Sequence, residues 1–263
     1  MIKILAVTNQ KGGVGKTTTV INLAASLASA GRTVLLVDVD PQANMTSGVG
    51  LRGQAAPGGT VYNILTATDG AALHDPTGFI VPSAVPRLSV IPADRHLTGA
   101  EIEMVSLPGR ESQLRRFLNP LRDRFDYIFI DCPPSLGLLT LNALVAAEGV
   151  MIPLHCEYFA LEGLADLMTT LRRVKAGMNP GLDVDGVLLT MCDERTNLAQ
   201  QVAGEVRAFF KNKVFQTVIP RNVKLAEAPS HGMPVMVYDP KSRGADAYNS
   251  LAQEFLGRHP EEA

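Results

Sequence analysis

Eight consecutive residues, Lys11-Gly12-Gly13-Val14-Gly15-Lys16-Thr17-Thr18, concentrate groups suited to binding an anion. Glycines at 12, 13 and 15 let the backbone turn its N–H groups inward with no side chain intervening, which is what several phosphate oxygens need. Lys16 would reach the β- and γ-phosphates of a nucleoside triphosphate, the Thr17 hydroxyl would ligate Mg2+, and Thr18 would help hold the α-phosphate. A helix starting near Lys16 adds its positive end to the field. The general pattern GxxxxGK[ST] needs glycine at position 10; this chain has Gln10, with a second lysine, Lys11, just ahead of the glycines. A glycine-rich strand-to-helix turn without a ligand is the alternative, and it leaves the coincidence of turn, lysine and hydroxyls unexplained.

Such a turn needs a buried strand before it and a helix after it. Ile2 to Val7 reads as that strand, and Thr17 to Ala30 as the helix, with Val20, Leu23 and Leu27 on one face and Gly31 as its stop. Apolar runs alternate with helical-period segments from end to end. Val34 to Val37 runs into Asp38-Val39-Asp40-Pro41, and Tyr127 to Ile130 into Asp131-Cys132-Pro133-Pro134. Further strands are predicted at Leu88 to Ile91, Val150 to Leu154, Val184 to Thr190 and Val214 to Ile219. A short helix is predicted near Val61 to Leu65, a charged amphipathic helix over Arg110 to Arg122, and a last helix over about Ala245 to Leu256. Leu51 to Gly59 reads as a surface loop. The alternation predicts an α/β fold: a doubly wound, mostly parallel sheet with helices on both faces, as one domain over residues 1–263, with ligands at the carboxyl ends of the strands.

Composition agrees. Of 263 residues 46% are hydrophobic and only 5% aromatic, with no Trp, so the core is aliphatic, as parallel sheets covered on both faces require. A net charge of -2 excludes a wholesale basic coat but not a local basic patch. Cys132, Cys156 and Cys192 are far apart and odd in number, favouring neither a disulfide framework nor a zinc site, and a reduced, cytoplasmic compartment is expected. No signal peptide and no membrane span is expected.

The Lys11–Thr18 turn resembles the deviant Walker A motif of the ParA/MinD ATPase superfamily. Val37-Asp38-Val39-Asp40-Pro41-Gln42, Asp131-Cys132-Pro133-Pro134-Ser135, Glu157-Tyr158-Phe159-Ala160-Leu161-Glu162-Gly163, Ile219-Pro220-Arg221-Asn222-Val223 and Glu227-Ala228-Pro229-Ser230 resemble its chromosomal ParA (Soj) branch. The resemblance runs from Ile4 to about Phe255. It implies a P-loop ATPase in which Lys11 crosses a two-fold interface to the partner's ATP, and Asp40 orients the water that attacks the γ-phosphate. Asp38 and Asp131 would serve the Mg2+ site with Thr17; capping the next helix is the simpler role for either aspartate. Pro133-Pro134-Ser135 would sense the γ-phosphate, with Ser135 as a helix cap the alternative. Pro220, Asn222 and Met191 would surround the adenine, and Thr190-Met191-Cys192-Asp193 lacks the NKxD pattern of GTPases.

The resemblance further implies an ATP-bound homodimer that coats double-stranded DNA nonspecifically on the nucleoid and is released when a ParB-type centromere-binding protein stimulates slow hydrolysis. Arg195 and Arg221 match the family's DNA-contacting arginines. Lys224, Arg207, Lys211, Lys213 and Arg243 are further basic candidates, with ordinary solvated helix ends the alternative for Lys211 and Lys213, and a place beside the nucleotide for Arg221. Two rival readings are weaker. A MinD-type membrane cycle needs a basic amphipathic C-terminal helix, whereas Leu251 to Ala263 carries one arginine and ends acidic. A redox protein like the nitrogenase iron protein needs a second suitably placed cysteine beside Cys132. With about one strand's length ahead of the turn, no operator-reading helix-turn-helix is expected.

Overall fold

The computed structural model describes residues 4–68, 75–157, 160–192 and 195–260. Ile2, Tyr158, Phe159, Asp193 and the acidic end at 261–263, which figured in the expectations above, lie outside them. Among the described residues seven strands form one sheet: β1 (Ile4–Val7), β2 (Val34–Asp38), β3 (Val81–Pro82), β4 (Leu88–Ile91), β5 (Tyr127–Asp131), β6 (Gly149–His155) and β7 (Asp183–Thr190). Their order is β3-β4-β2-β5-β1-β6-β7, and every neighbouring pair is parallel except β3 with β4. The chain reverses direction across the sheet on either side of β1, so the crevice at the carboxyl end of β1 is where such a sheet binds ligands.

Alternate residues of each strand face opposite layers. Ile4, Ala6, Leu35, Val37, Ile128 and Ile130 join one buried cluster, while Leu5, Val7, Leu36, Phe129 and Met151 join the other. Burial on both faces explains why the strands read as unbroken apolar runs. The helices are α1 (Lys16–Ser29), α2 (Asn44–Gly48), α3 (Val61–Thr66), α4 (Leu97–Glu103), α5 (Gln113–Leu118), α6 (Leu138–Ala146), α7 (Ala160–Gly177), α8 (Asn197–Phe210), α9 (Val223–Glu227), α10 (Val235–Tyr238) and α11 (Arg243–Arg258). α11 lies against α1 and buries Ala245, Tyr248, Leu251, Ala252 and Phe255. The three-layer α/β architecture is therefore the doubly wound one expected.

Two expected elements differ. Arg110 to Arg122 is not one helix: 3₁₀ turns at Arg110–Ser112 and Asn119–Arg124 flank the short α5. Pro120 has no N–H to continue an α-helix, and Asn142 ties down the entry by donating to the Arg110 carbonyl (2.8 Å) and accepting from Leu114 N (3.2 Å). Val214 to Ile219 is not a full strand either; it touches β7 only at Val187–Val214 and Thr190–Ile219. Between those bridges the amides of Gln216 and Thr217 donate to the Glu254 carboxylate of α11 at 2.8 Å each, so they are unavailable to a ladder.

Candidate functional site

The glycine-rich turn leaves β1 and enters α1 through Gly15, whose φ of 86° is left-handed, as is the 74° of Gly13. Glycine alone takes that conformation without cost. Gly12 differs: its φ is ordinary, and a Cβ there would meet no atom within 4 Å. Among the described residues nothing requires glycine at 12. The turn is strapped to neighbouring strands by Asn9, which donates to the Pro153 carbonyl (2.8 Å) and accepts from Lys11 N (3.1 Å), and by Thr190, whose hydroxyl donates to the Val14 carbonyl (2.8 Å). The Lys16 ammonium donates to the Lys11 carbonyl at 3.0 Å and is almost fully buried. Burial lowers its pKa, opposed by the negative charges of Asp131 and Asp40.

Asp38 and Asp131 sit opposite each other at the carboxyl ends of β2 and β5, both fully buried. Asp38 is well supplied with donors. Its Oδ1 accepts from Asp40 N (3.2 Å), and its Oδ2 accepts from Thr46 N (2.8 Å) and the Thr46 hydroxyl (2.7 Å). Burial still raises its pKa to about 6. For Asp131 burial first, then the charge of Asp38, pushes the carboxyl well above the usual range, with Thr17 and Lys16 acting the other way. Both Asp131 oxygens are buried without a formed hydrogen bond; the Thr17 hydroxyl bears on them from outside bonding geometry. An orphaned carboxylate beside a second one is unsatisfied unless a proton or a cation joins it. Thr17, Asp38 and Asp131 supply the hard oxygen donors that Mg2+ prefers. Among the described residues no three His, Cys, Asp or Glu side chains form a metal cage. Mg2+ bound with a nucleotide takes one or two carboxylates and completes its shell from phosphate and water. Asp40, nearly buried, accepts from Gln42 N at 2.9 Å.

The helix-capping alternatives resolve individually. Asp38 does receive an amide of the first turn of α2, that of Thr46, whereas Asp131 receives none. Ser135 does not cap α6: Gly137 holds that position, and Glu101 of α4 accepts from Leu139 N at 3.2 Å.

Beside the turn, Gly15, Thr18, Met191, Pro220, Asn222 and Tyr248 line a cavity of about 390 Å³ with mostly apolar walls. A second cavity, of about 710 Å³, is lined by His155, Glu157, Met191, Arg195, Arg221 and Arg243. Met191, held at a φ of 49°, and Arg221 belong to both walls. The structure thus brings Met191, Pro220 and Asn222 together, and gathers three of the basic candidates around one space.

A family model described as an AAA domain matches residues 2–184. The chain is 56% identical over 254 residues to the sporulation initiation inhibitor protein Soj of Bacillus subtilis, covering 97% of this chain and 98% of that protein. It is 51% identical over 258 residues to the chromosome-partitioning ATPase Soj of Treponema pallidum, covering 98% of each. The chain belongs to the ParA/Soj family of chromosome-partitioning ATPases. Among solved structures, cobyrinic acid a,c-diamide synthase from Mycobacterium smegmatis with bound ADP and magnesium superposes with a TM-score of 0.79 at 37% identity, covering 96% of this chain and 93% of that one.

Not every basic residue proposed for a ParA/Soj surface lies near the site. Lys213 is ion-paired with Asp183 at the start of β7, the far end of the strand whose last residue, Thr190, holds the turn. Asp183 and Thr190 are the two ends of an eight-residue strand, roughly 23 Å apart. Lys211 adjoins Lys213 there, and Arg207 lies in the last turn of α8, leading away from Arg195. Lys224 on α9 does lie beside the site, between Val223 and Leu225 of the 390 Å³ cavity wall, and it pairs with Glu227 at 2.8 Å, which raises its pKa.

Sequence spacing did not single out Asn9, Thr46, Thr190 or Glu101. Asn9 carried a usable signal, since an Asn two residues before a turn commonly binds its backbone. Thr46, Thr190 and Glu101 act across folded distances that no local pattern encodes.

Proposed function

We propose that residues 1–263 form a single P-loop ATPase domain whose ATP-bound form is a homodimer that holds double-stranded DNA without sequence preference, and that a ParB-type protein stimulates hydrolysis to release it. The observation carrying this reading is the orphaned Asp131 carboxylate beside Thr17 and the buried Lys16, next to the glycine-rich turn that opens α1. In this reading Gly12 to Thr18 hold the phosphates, with Lys16 on the β- and γ-oxygens. Thr17, Asp38 and Asp131 are the residues that hold Mg2+, which when bound offsets charge on those oxygens. The base enters the apolar cavity between Met191 and Pro220, where the Asn222 amide offers a donor. Asp40, anchored through Gln42, orients the attacking water.

Lys11 supplies a cation to the partner's nucleotide. Two triphosphates brought face to face concentrate negative charge, and one lysine from each copy offsets it. The open space around Gly12 supports a close approach from outside the chain. The shared Met191–Arg221 wall supports a link between a filled base cavity and the arginines Arg195, Arg221 and Arg243 that meet DNA phosphates. Doubling that patch in a dimer makes DNA affinity steeply dependent on nucleotide and on salt. The place of action in this reading is the cytoplasm, on the nucleoid. Among the described residues no helix is long and apolar enough to cross a membrane, and the apolar face of α11 is used within the fold.

The test is filter or fluorescence binding to unrelated duplexes with ATP and with ADP. Tight binding with ATP, little with ADP and a sharp loss with salt are expected. Equal affinity in the two nucleotide states would refute the mechanism.

A further inference from the structure

Asp38 and Asp131 face each other across adjacent strands, yet their surroundings differ. Asp131 receives no formed hydrogen bond, whereas Asp38 receives three, two of them from one residue, Thr46. The direction of the Thr46 hydroxyl is fixed by its second partner. Ala93 N, just past β4, donates to the same oxygen at 3.0 Å. With that amide pointing at Oγ1, the hydroxyl hydrogen is left for Asp38 Oδ2 at 2.7 Å. Thr46 is 1% exposed and Asp38 0%, so bulk water does not readily replace this bond. The carboxylate so held accepts, through Oδ1, the backbone N–H of Asp40.

We propose that Thr46 is a positioning residue for the Mg2+·nucleotide site, its hydroxyl fixing the Asp38 carboxylate and, through it, the backbone of Asp40. The inference rests on the reading that Asp38 serves the metal. The chain of bonds runs from the end of β4 through Thr46 to the end of β2, so two strand ends and α2 are locked around one carboxylate. Losing the hydroxyl frees the carboxylate to rotate and leaves Ala93 N without its acceptor. The phosphate-binding turn, which makes none of these bonds, keeps its geometry. The consequence is selective: metal-dependent binding weakens while metal-free nucleotide binding does not.

The experiment titrates Mg2+ into the full chain with a fluorescent ATP analogue and reads the Mg2+ concentration at half-maximal enhancement of binding. Removing outer partners of metal-site residues typically costs 10- to 100-fold in metal affinity. For Thr46→Val, close in shape but without the hydroxyl, the midpoint is expected to rise by about that factor, with unchanged binding in EDTA. Thr46→Ser, which keeps the hydroxyl, is expected to stay near the parent. Should Thr46→Val fail to fold, Thr46→Ala is read in the same way. An unchanged midpoint in Thr46→Val, alongside a shifted one in Asp38→Asn, overturns the proposal while leaving the role of Asp38 intact. An equal loss with and without Mg2+ also overturns it, because that marks general support of the site. An unchanged midpoint in Asp38→Asn removes the underlying reading and the proposal with it.

Discussion

Replacing Gly12 with valine separates what the turn needs for itself from what it needs for a partner. Gly13 and Gly15 have φ values of 74° and 86°, where an added Cβ costs about 1–2 kcal/mol. Gly12 has no positive φ, and among the described residues no atom lies within 4 Å of a Cβ there. Gly12→Val is therefore expected to change the stability of the isolated chain by no more than about 0.5 kcal/mol, and to leave nucleotide binding in place. In a two-fold dimer closed around two nucleotides the same substitution occurs twice. Overpacking costs about 1–3 kcal/mol per site, so the dimer loses about 2–6 kcal/mol, roughly thirtyfold to twenty-thousandfold in its dissociation constant. Thermal melts, fluorescent-nucleotide binding and sedimentation velocity with ATP, each with Gly15→Ala for comparison, read the three quantities. A Gly12→Val protein that dimerises like the parent, or one that cannot hold nucleotide, would refute the reasoning.

Further expectations follow from other parts of the structure. Asp40→Ala is expected to bind ATP and accumulate as dimer with hydrolysis cut at least about a hundredfold, the usual scale for losing a positioned acid–base group; normal turnover in a phosphate-release assay would reassign the water-orienting role. Asn179 donates to the carbonyls of Leu144, Val145 and Ala147 at 2.6 to 3.2 Å where α6 ends, so Asn179→Ala should lower stability by about 1–3 kcal/mol in urea melts without altering nucleotide affinity per folded molecule. A carboxyl whose pKa is raised to about 6 binds its proton more tightly folded than unfolded, so its contribution to stability falls as pH rises from about 4 through about 6. Urea melts in EDTA between about pH 5 and 7 should show a loss on the order of 1–2 kcal/mol from Asp38, on top of the loss from the neighbouring Asp131, whose carboxyl is raised too, so the fall with pH is smaller, not abolished, in Asp38→Asn. The lowered carboxyls of Asp183, Glu227 and Glu254 act at lower pH and do not mask it. A wild-type excess of stability over Asp38→Asn that grows with pH would contradict the assigned shift.

Much of the site was legible because its chemistry is compressed. Eight residues carry the turn, and β2 and β5 each end on an aspartate after an apolar run buried on both faces. Where the sequence misled, a distant residue had taken over a backbone group. Glu254 removes the amides that would have made 214–219 a strand, and Asn142 with Pro120 breaks the helix expected over 110–122. Thr46 was invisible because its partners lie 8 and 47 residues away. The fold also joins two motifs whose relation the sequence did not reveal: a Cβ on Gly163 of α7 would lie 3.8 Å from Lys11 Cγ, so the Gly163 segment borders the path of Lys11.

The central claim is that Lys11 serves the nucleotide of another copy. A structure of Asp40→Ala loaded with Mg2+ and ATP tests it most directly. The expected result is a two-fold dimer with each Lys11 Nζ within hydrogen-bonding distance of the partner's phosphates. A monomer at saturating ATP, or a dimer whose Lys11 side chains point to solvent, would contradict the account.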